Sequence, residues 1–125
     1  MTPENRIIAI IVDPRASGAD SYRVDVQATV VREHIAVHPT FRQELRLLSE
    51  QWTVTHVPTG RSMCVVRDKP LAVAAAAAFA RLPIDWGTTT AVTPKEWPQD
   101  VCRNAHAIRV MAESGDLKGL KAAFA

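Results

Sequence analysis

From Tyr22 to Val30, apolar and polar residues alternate without a break: Tyr22, Val24, Val26, Ala28 and Val30 interleave with Arg23, Asp25, Gln27 and Thr29. Successive side chains on a β-strand point to opposite faces, so a period of two predicts one buried and one wet face. The preceding run, Arg6 to Val12, is rich in isoleucine and valine and ends at Asp13-Pro14. It reads as a strand buried on both faces. The Pro14–Asp20 loop between them is too short for a crossover, which makes the two strands antiparallel neighbours.

A hairpin is expected over Gln51–Val66. Trp52 to Val57 is β-rich, Pro58-Thr59-Gly60 is turn chemistry, and Ser62 to Val66 returns. If residues 57 and 62 pair, Trp52, Val54, Met63 and Val65 share one face, and Thr53, Thr55, Cys64 and Val66 the other. Between the two strand pairs, Pro39 is expected to interrupt the chain. Thr40 followed by Gln43 resembles a capping box, which predicts extended chain to Val37 and a short helix over Phe41–Ser49.

Helices dominate the second half. Asp68 can cap a helix running to about Leu82, with Pro70 in its first turn. Leu71, Ala75, Ala78, Phe79 and Leu82 form one stripe, and Ala74 to Ala78 leave the remaining surface nearly smooth. A helix with so little polar surface must be covered on more than one side. Thr88–Val92 could add an edge strand. Thr93-Pro94-Lys95-Glu96 carries a helix-start signature for a helix continuing to Glu113. That helix turns Val101, Ala105, Ile108 and Ala112 inward, and Gly115 stops it. Asp116 can cap a last short helix holding Leu117, Leu120 and Phe124.

Strands first and helices after predict an α+β domain over residues 1–125: an antiparallel sheet of four to five strands with two or three helices packed on one face. At 125 residues the chain is long enough to bury a core without staples. Its two cysteines suit a reducing compartment, so a cytoplasmic location is expected. The apolar stretch near the N-terminus is too short for a signal peptide, and no membrane association is expected.

Little in the sequence points to catalysis. His34 and His38 would lie roughly 13 Å apart on a strand, too far to share an ion. Cys64 and Cys102 lack the spacing of a zinc site, though either could meet His56 or His106 as a thiol–imidazole pair. Gly60 turns a hairpin and does not open a phosphate loop. No cofactor, metal site or catalytic residue is assigned.

The net charge is only +2, but eleven of the fifteen basic residues are arginine, which favours forked contacts to carboxylate or phosphate. Arg61 and Arg67 flank the hairpin, while Arg103 and Arg109 share an outer helix face with His106. Trp86 and Trp97 fall in or beside a loop, either as a lid over the alanine helix or as binding anchors. Arg61, Arg67, Trp86, Trp97, Arg103 and Arg109 are therefore the candidate partner-binding residues. The segment Trp52–Gly60 followed by an alanine-rich helix resembles a hairpin–helix element of small proteins from high-GC bacterial mobile elements. That resemblance implies a bacterial or phage accessory protein and no particular activity.

Together these features favour a non-enzymatic protein-binding module, accessory or inhibitory in role, that blocks a partner's surface. One alternative is nucleic-acid binding through the arginine face. Another is a small enzyme using a Cys/His pair. Homodimerisation through the edge of the Ser21–Val31 strand is compatible with each.

Overall fold

In the computed structural model, residues 4–12, 20–42, 47–89 and 97–123 are described. Among these residues five strands are followed by three helices: β1 (Glu4–Val12), β2 (Tyr22–Arg32), β3 (Ile35–Arg42), β4 (Leu47–His56), β5 (Arg61–Val66), α1 (Lys69–Ala80), α2 (Gln99–Glu113) and α3 (Leu117–Ala123). The strands pair antiparallel in sequence order, β1-β2-β3-β4-β5. This is the α+β architecture the alternating strand calls for, with all three helices following a single sheet.

The register sorts side chains onto two faces. Ile8 lies opposite Val26, Val30 opposite Ala36, and Ala36 opposite Thr55. This face carries a cluster of Ile8, Ile10, Val26, Ala28 and Ala36, flanked by Val24, Val30, Phe41 and Val57. On the other face Thr29, Val37, Val54 and Cys64 are in line. Over β3–β5 the helices cover that second face and build the larger core: Ile35, Val37, Val54 and Val66 pack with Leu71, Phe79, Ile108 and Leu120.

β1 is not buried on both faces. Ile8 and Ile10 point into the first cluster, but Ile7 is 67% exposed on the second face, beyond the strands that the helices cover. A β-branched run thus alternates in burial without alternating in chemistry. β2 lies between β1 and β3, and its pairing with β3 covers only Thr29–Arg32, so the order of the strands does not by itself close its edge to self-association.

Residues 41–42 and 47–49 are strand, not the expected helix. β3 runs through Pro39, which sits opposite Trp52 beside an irregularity in the β3–β4 ladder. The β2–β3 pairing extends only from Arg32↔Ile35 to Thr29↔Val37. Beyond Val37, β3 is therefore a local edge, where a missing N–H does little harm. Thr40 caps nothing; its hydroxyl is hydrogen-bonded to that of Thr53 at 2.7 Å.

The hairpin forms as expected, but a bulge between Val54 and Thr55 shifts its register. Val54 faces Cys64 and Trp52 faces Val66. Cys64 and Val66 therefore join Trp52 and Val54 on the helix side, the reverse of the faces drawn from an unbulged pairing, because one extra residue flips every side chain beyond it.

The sheet coils until β1 meets the β4–β5 turn, where the Ile11 N–H donates to the Gly60 carbonyl at 2.9 Å. Gly60 has φ +70°, and a Cβ there would stand 2.9 Å from the Ala9 carbonyl oxygen. Both the left-handed backbone and the close strand approach require glycine.

Asp68 caps α1 by accepting from the Leu71 N–H at 3.1 Å. α2 begins at Gln99, just after Pro98. The expected start signature at residues 93–96, and most of the expected edge strand, lie outside the described residues. Gly115, at φ +82°, follows α2, and Asp116 accepts from the Gly119 N–H at 2.9 Å as α3 begins. No helix among the described residues is long and apolar enough to cross a membrane.

Candidate functional site

Among the described residues every buried side-chain polar atom has a hydrogen-bond partner. His38, 1% exposed, lies on the sheet face that carries the smaller cluster. Its Nδ1 is 2.8 Å from the Pro39 carbonyl, which can only accept, so Nδ1 carries the proton and Nε2 accepts from the Thr55 hydroxyl, also at 2.8 Å. Burial pushes the His38 pKa below its usual 6.5, against the opposing pull of the Pro39 carbonyl. His56 is fully buried at the far end of β4. Its Nε2 donates to the Trp86 carbonyl at 2.5 Å and its Nδ1 lies 2.9 Å from the Thr59 hydroxyl. Burial lowers its pKa as well; the bond to Trp86 opposes the shift and the neighbouring His34 adds to it.

Cys64 sits in the larger apolar core, and burial pushes its thiol up to about 12, with Glu113 adding to the shift and Arg109 opposing it. Such a thiol stays protonated at neutral pH and is a poor nucleophile. Cys102 turns its sulfur toward the Trp97 carbonyl at 3.8 Å. Among the described residues no group of three or more His, Cys, Asp or Glu is placed to hold a metal ion.

The six residues singled out from sequence go to different tasks. Trp86 is a core residue, 6% exposed. Its Nε1–H donates to the Phe79 carbonyl at 3.2 Å, and its ring makes edge contacts with Phe79 and Trp97. It is the lid over the alanine helix, with Trp97 half-buried beside it. Arg109 donates from Nε and Nη2 to the Met63 carbonyl at 3.1 and 3.0 Å, clamping α2 onto β5. Arg67 pairs with Asp68 at 3.3 Å and lies against the α2–α3 turn, where a Cβ on Gly115 would come within 2.8 Å of its Nη1. Arg61 and Arg103 are exposed, on β5 and α2. The fold thus joins the two tryptophans to each other, ties Arg109 to the Met63 carbonyl and pairs Arg67 with Asp68.

The feature that sequence reasoning passed over lies along α1. Leu71, Ala72, Ala75, Ala76, Ala78 and Phe79 are buried against the sheet and the other helices. Each of the two large side chains contributes roughly 1.5–3 kcal/mol through that burial. The opposite side of the helix carries Val73, Ala74, Ala77 and Ala80, all half-buried and still reached by solvent. With Pro70 and Leu120 they floor a groove of ≈ 820 Å³.

Four cations stand around that floor: Arg32 from the end of β2, Lys69 and Arg81 from the two ends of α1, and Lys121 from α3. Among the described residues no carboxylate lines the groove. Lys69 is steadied over the Trp52 ring at 5.4 Å, and the Arg32 guanidinium donates to the Val31 carbonyl at 2.9 Å. Arg81 and Lys121 make no ion pair among the described residues. An apolar floor inside a one-signed rim is the kind of surface that can attract an oppositely charged group by long-range electrostatics and bury apolar area beside it. One signal in the sequence pointed here, namely that the alanine helix has too little polar surface for a helix covered on one side only.

No protein-family model, no curated protein and no solved structure matches the chain.

Proposed function

We propose that this chain is a non-enzymatic protein-binding module that seats an acidic, apolar-centred segment of its partner in the α1 groove. The observation that carries this reading is the ≈ 820 Å³ apolar trough rimmed by Arg32, Lys69, Arg81 and Lys121, with no acidic residue among the described residues that line it. The resemblance of the hairpin–helix element to mobile-element proteins supports an accessory or inhibitory role, exerted by covering a surface the partner needs. A cytoplasmic setting is part of the same proposal, in keeping with two cysteines that are both free thiols. Nucleic-acid binding through Arg61, Arg67, Arg103 and Arg109 has less support, because Arg109 serves the Met63 carbonyl and Arg67 serves Asp68.

The test is capture of a partner by the purified chain and by two folded variants, followed by rebinding of that partner in pure form. Ala77→Glu places a carboxylate on the groove floor, whereas Arg103→Glu changes charge on α2, away from it. Capture lost with the first and kept with the second supports the reading. Capture kept by Ala77→Glu contradicts it.

A further inference from the structure

We infer that the groove's occupant is an amphipathic α-helix with acidic flanks, contributed by the partner protein; this rests on the docking reading above and adds the conformation and charge pattern of the segment. The floor residues Pro70, Val73, Ala77 and Ala80 recur at spacings of three, four and three. That is the spacing of a seam between two packed helices, in which each side chain enters a gap between residues of the facing helix. The seam faces the groove, and among the described residues no helix or strand lies across it.

Hydrogen bonding separates a helical occupant from an extended one. A strand docks well where it finds a ladder of unpaired N–H and C=O groups. The floor here is an α-helix whose backbone is bonded along its own axis, with Asp68 capping its start and the Arg81 N–H closing its end onto the Ala78 and Phe79 carbonyls. An extended segment lying on it would leave its polar backbone without partners on that side. A helix brings its backbone bonds with it and presents only side chains.

Size and charge complete the match. α1 has 12 residues, which at 1.5 Å each is a seam of about 18 Å and accommodates an occupant of about 12–14 residues. Alanine at the contact lets two helix axes approach to about 8 Å. Lys69 and Arg81 stand at the two ends of the seam, with Arg32 and Lys121 beside it. Glutamates on both flanks of the occupant's apolar stripe would meet them, as charges flanking the seam set partner choice in paired helices.

The experiment measures binding of the full chain to labelled peptides of about 14 residues. One carries leucines at seam spacing with glutamate flanks, the second has lysine in place of every glutamate, and the third is the first with a central proline. The glutamate peptide is expected to bind and to gain helical circular dichroism on binding. Losses of about tenfold or more are expected with the lysine peptide, the proline peptide and the Ala77→Glu chain. Equal binding of the proline peptide would overturn the helical occupant while leaving protein docking intact. Equal binding of the lysine peptide would overturn the charge pattern. Full binding by the Ala77→Glu chain would remove the groove itself from the account. Dodecanoate binding more tightly than the glutamate peptide would make this a site for small anionic amphiphiles and overturn the inference.

Discussion

The Ile11 amide donates to the Gly60 carbonyl at 2.9 Å, and this bond ties the first strand of the sheet to the turn between the last two. The sheet is a meander with β1 and β5 at its ends, so this contact joins its two extremes. It is possible only because position 60 has no side chain between the two backbones.

Gly60→Ala is accordingly expected to destabilise the fold. The residue has φ +70°, and the new methyl would sit 2.9 Å from the Ala9 carbonyl oxygen. A loss of about 1–3 kcal/mol is expected from urea unfolding. A change within about 0.5 kcal/mol, the range of an ordinary surface substitution, would show that the closure does not matter to stability.

Acid is expected to weaken the fold through its two buried imidazoles. Burial holds His38 and His56 below the usual value of 6.5. As pH falls below that value the unfolded chain takes up protons that the folded chain refuses. The stability these histidines contribute is thus fully present above 6.5 and is lost as pH falls toward their folded values. Each can contribute a slope of up to about 1.4 kcal/mol per pH unit in that window. Denaturant unfolding at a series of pH values measures it, and His38→Asn should flatten the curve. An unchanged slope in that variant would show that His38 has the same proton affinity folded and unfolded.

Trp86→Ala is expected to behave as a core truncation, losing about 3–5 kcal/mol. The ring fills the space between Phe79, His56 and Trp97, and its carbonyl holds the His56 imidazole. Trp97→Ala, at a half-buried position, should lose clearly less. Comparing the melting temperatures of the two variants checks this, and a reversed order would mean that Trp97 is the anchor and Trp86 the dispensable ring.

Reversing the groove's rim should spare stability and alter binding. Arg81→Glu and Lys121→Glu remove side chains with no ion pair among the described residues, so unfolding free energies should change by no more than about 0.5 kcal/mol. Association with an acidic partner should slow and lose most of its salt dependence, since charge at a rim acts mainly on encounter. Stopped-flow association at two salt concentrations reads this out, and an unchanged rate would separate the rim from recognition.

Much of this fold is legible in the residues themselves. The alternation at Tyr22–Val30 defines one strand and its two faces, Pro58-Thr59-Gly60 marks the hairpin turn, and Asp68 with Pro70 marks the start of α1. Pro39 misleads because its effect depends on where the β2–β3 pairing ends, and that is a tertiary fact. The faces of β5 mislead for a related reason. A single bulge between Val54 and Thr55 exchanges them, and no turn residue announces it. Gly60 reads as a turn glycine, and its second role exists only once β1 has coiled round to meet it. The groove is the least legible feature, because its four cations come from one strand and two helices and lie between positions 32 and 121.

Site-directed photo-cross-linking from position 77, with the adduct mapped to its residues on the partner, tests docking in the α1 groove most directly. The account predicts an adduct on one acid-flanked helical segment, and none from the same probe at position 103 on α2. An adduct formed from position 103 with none from position 77 would contradict it.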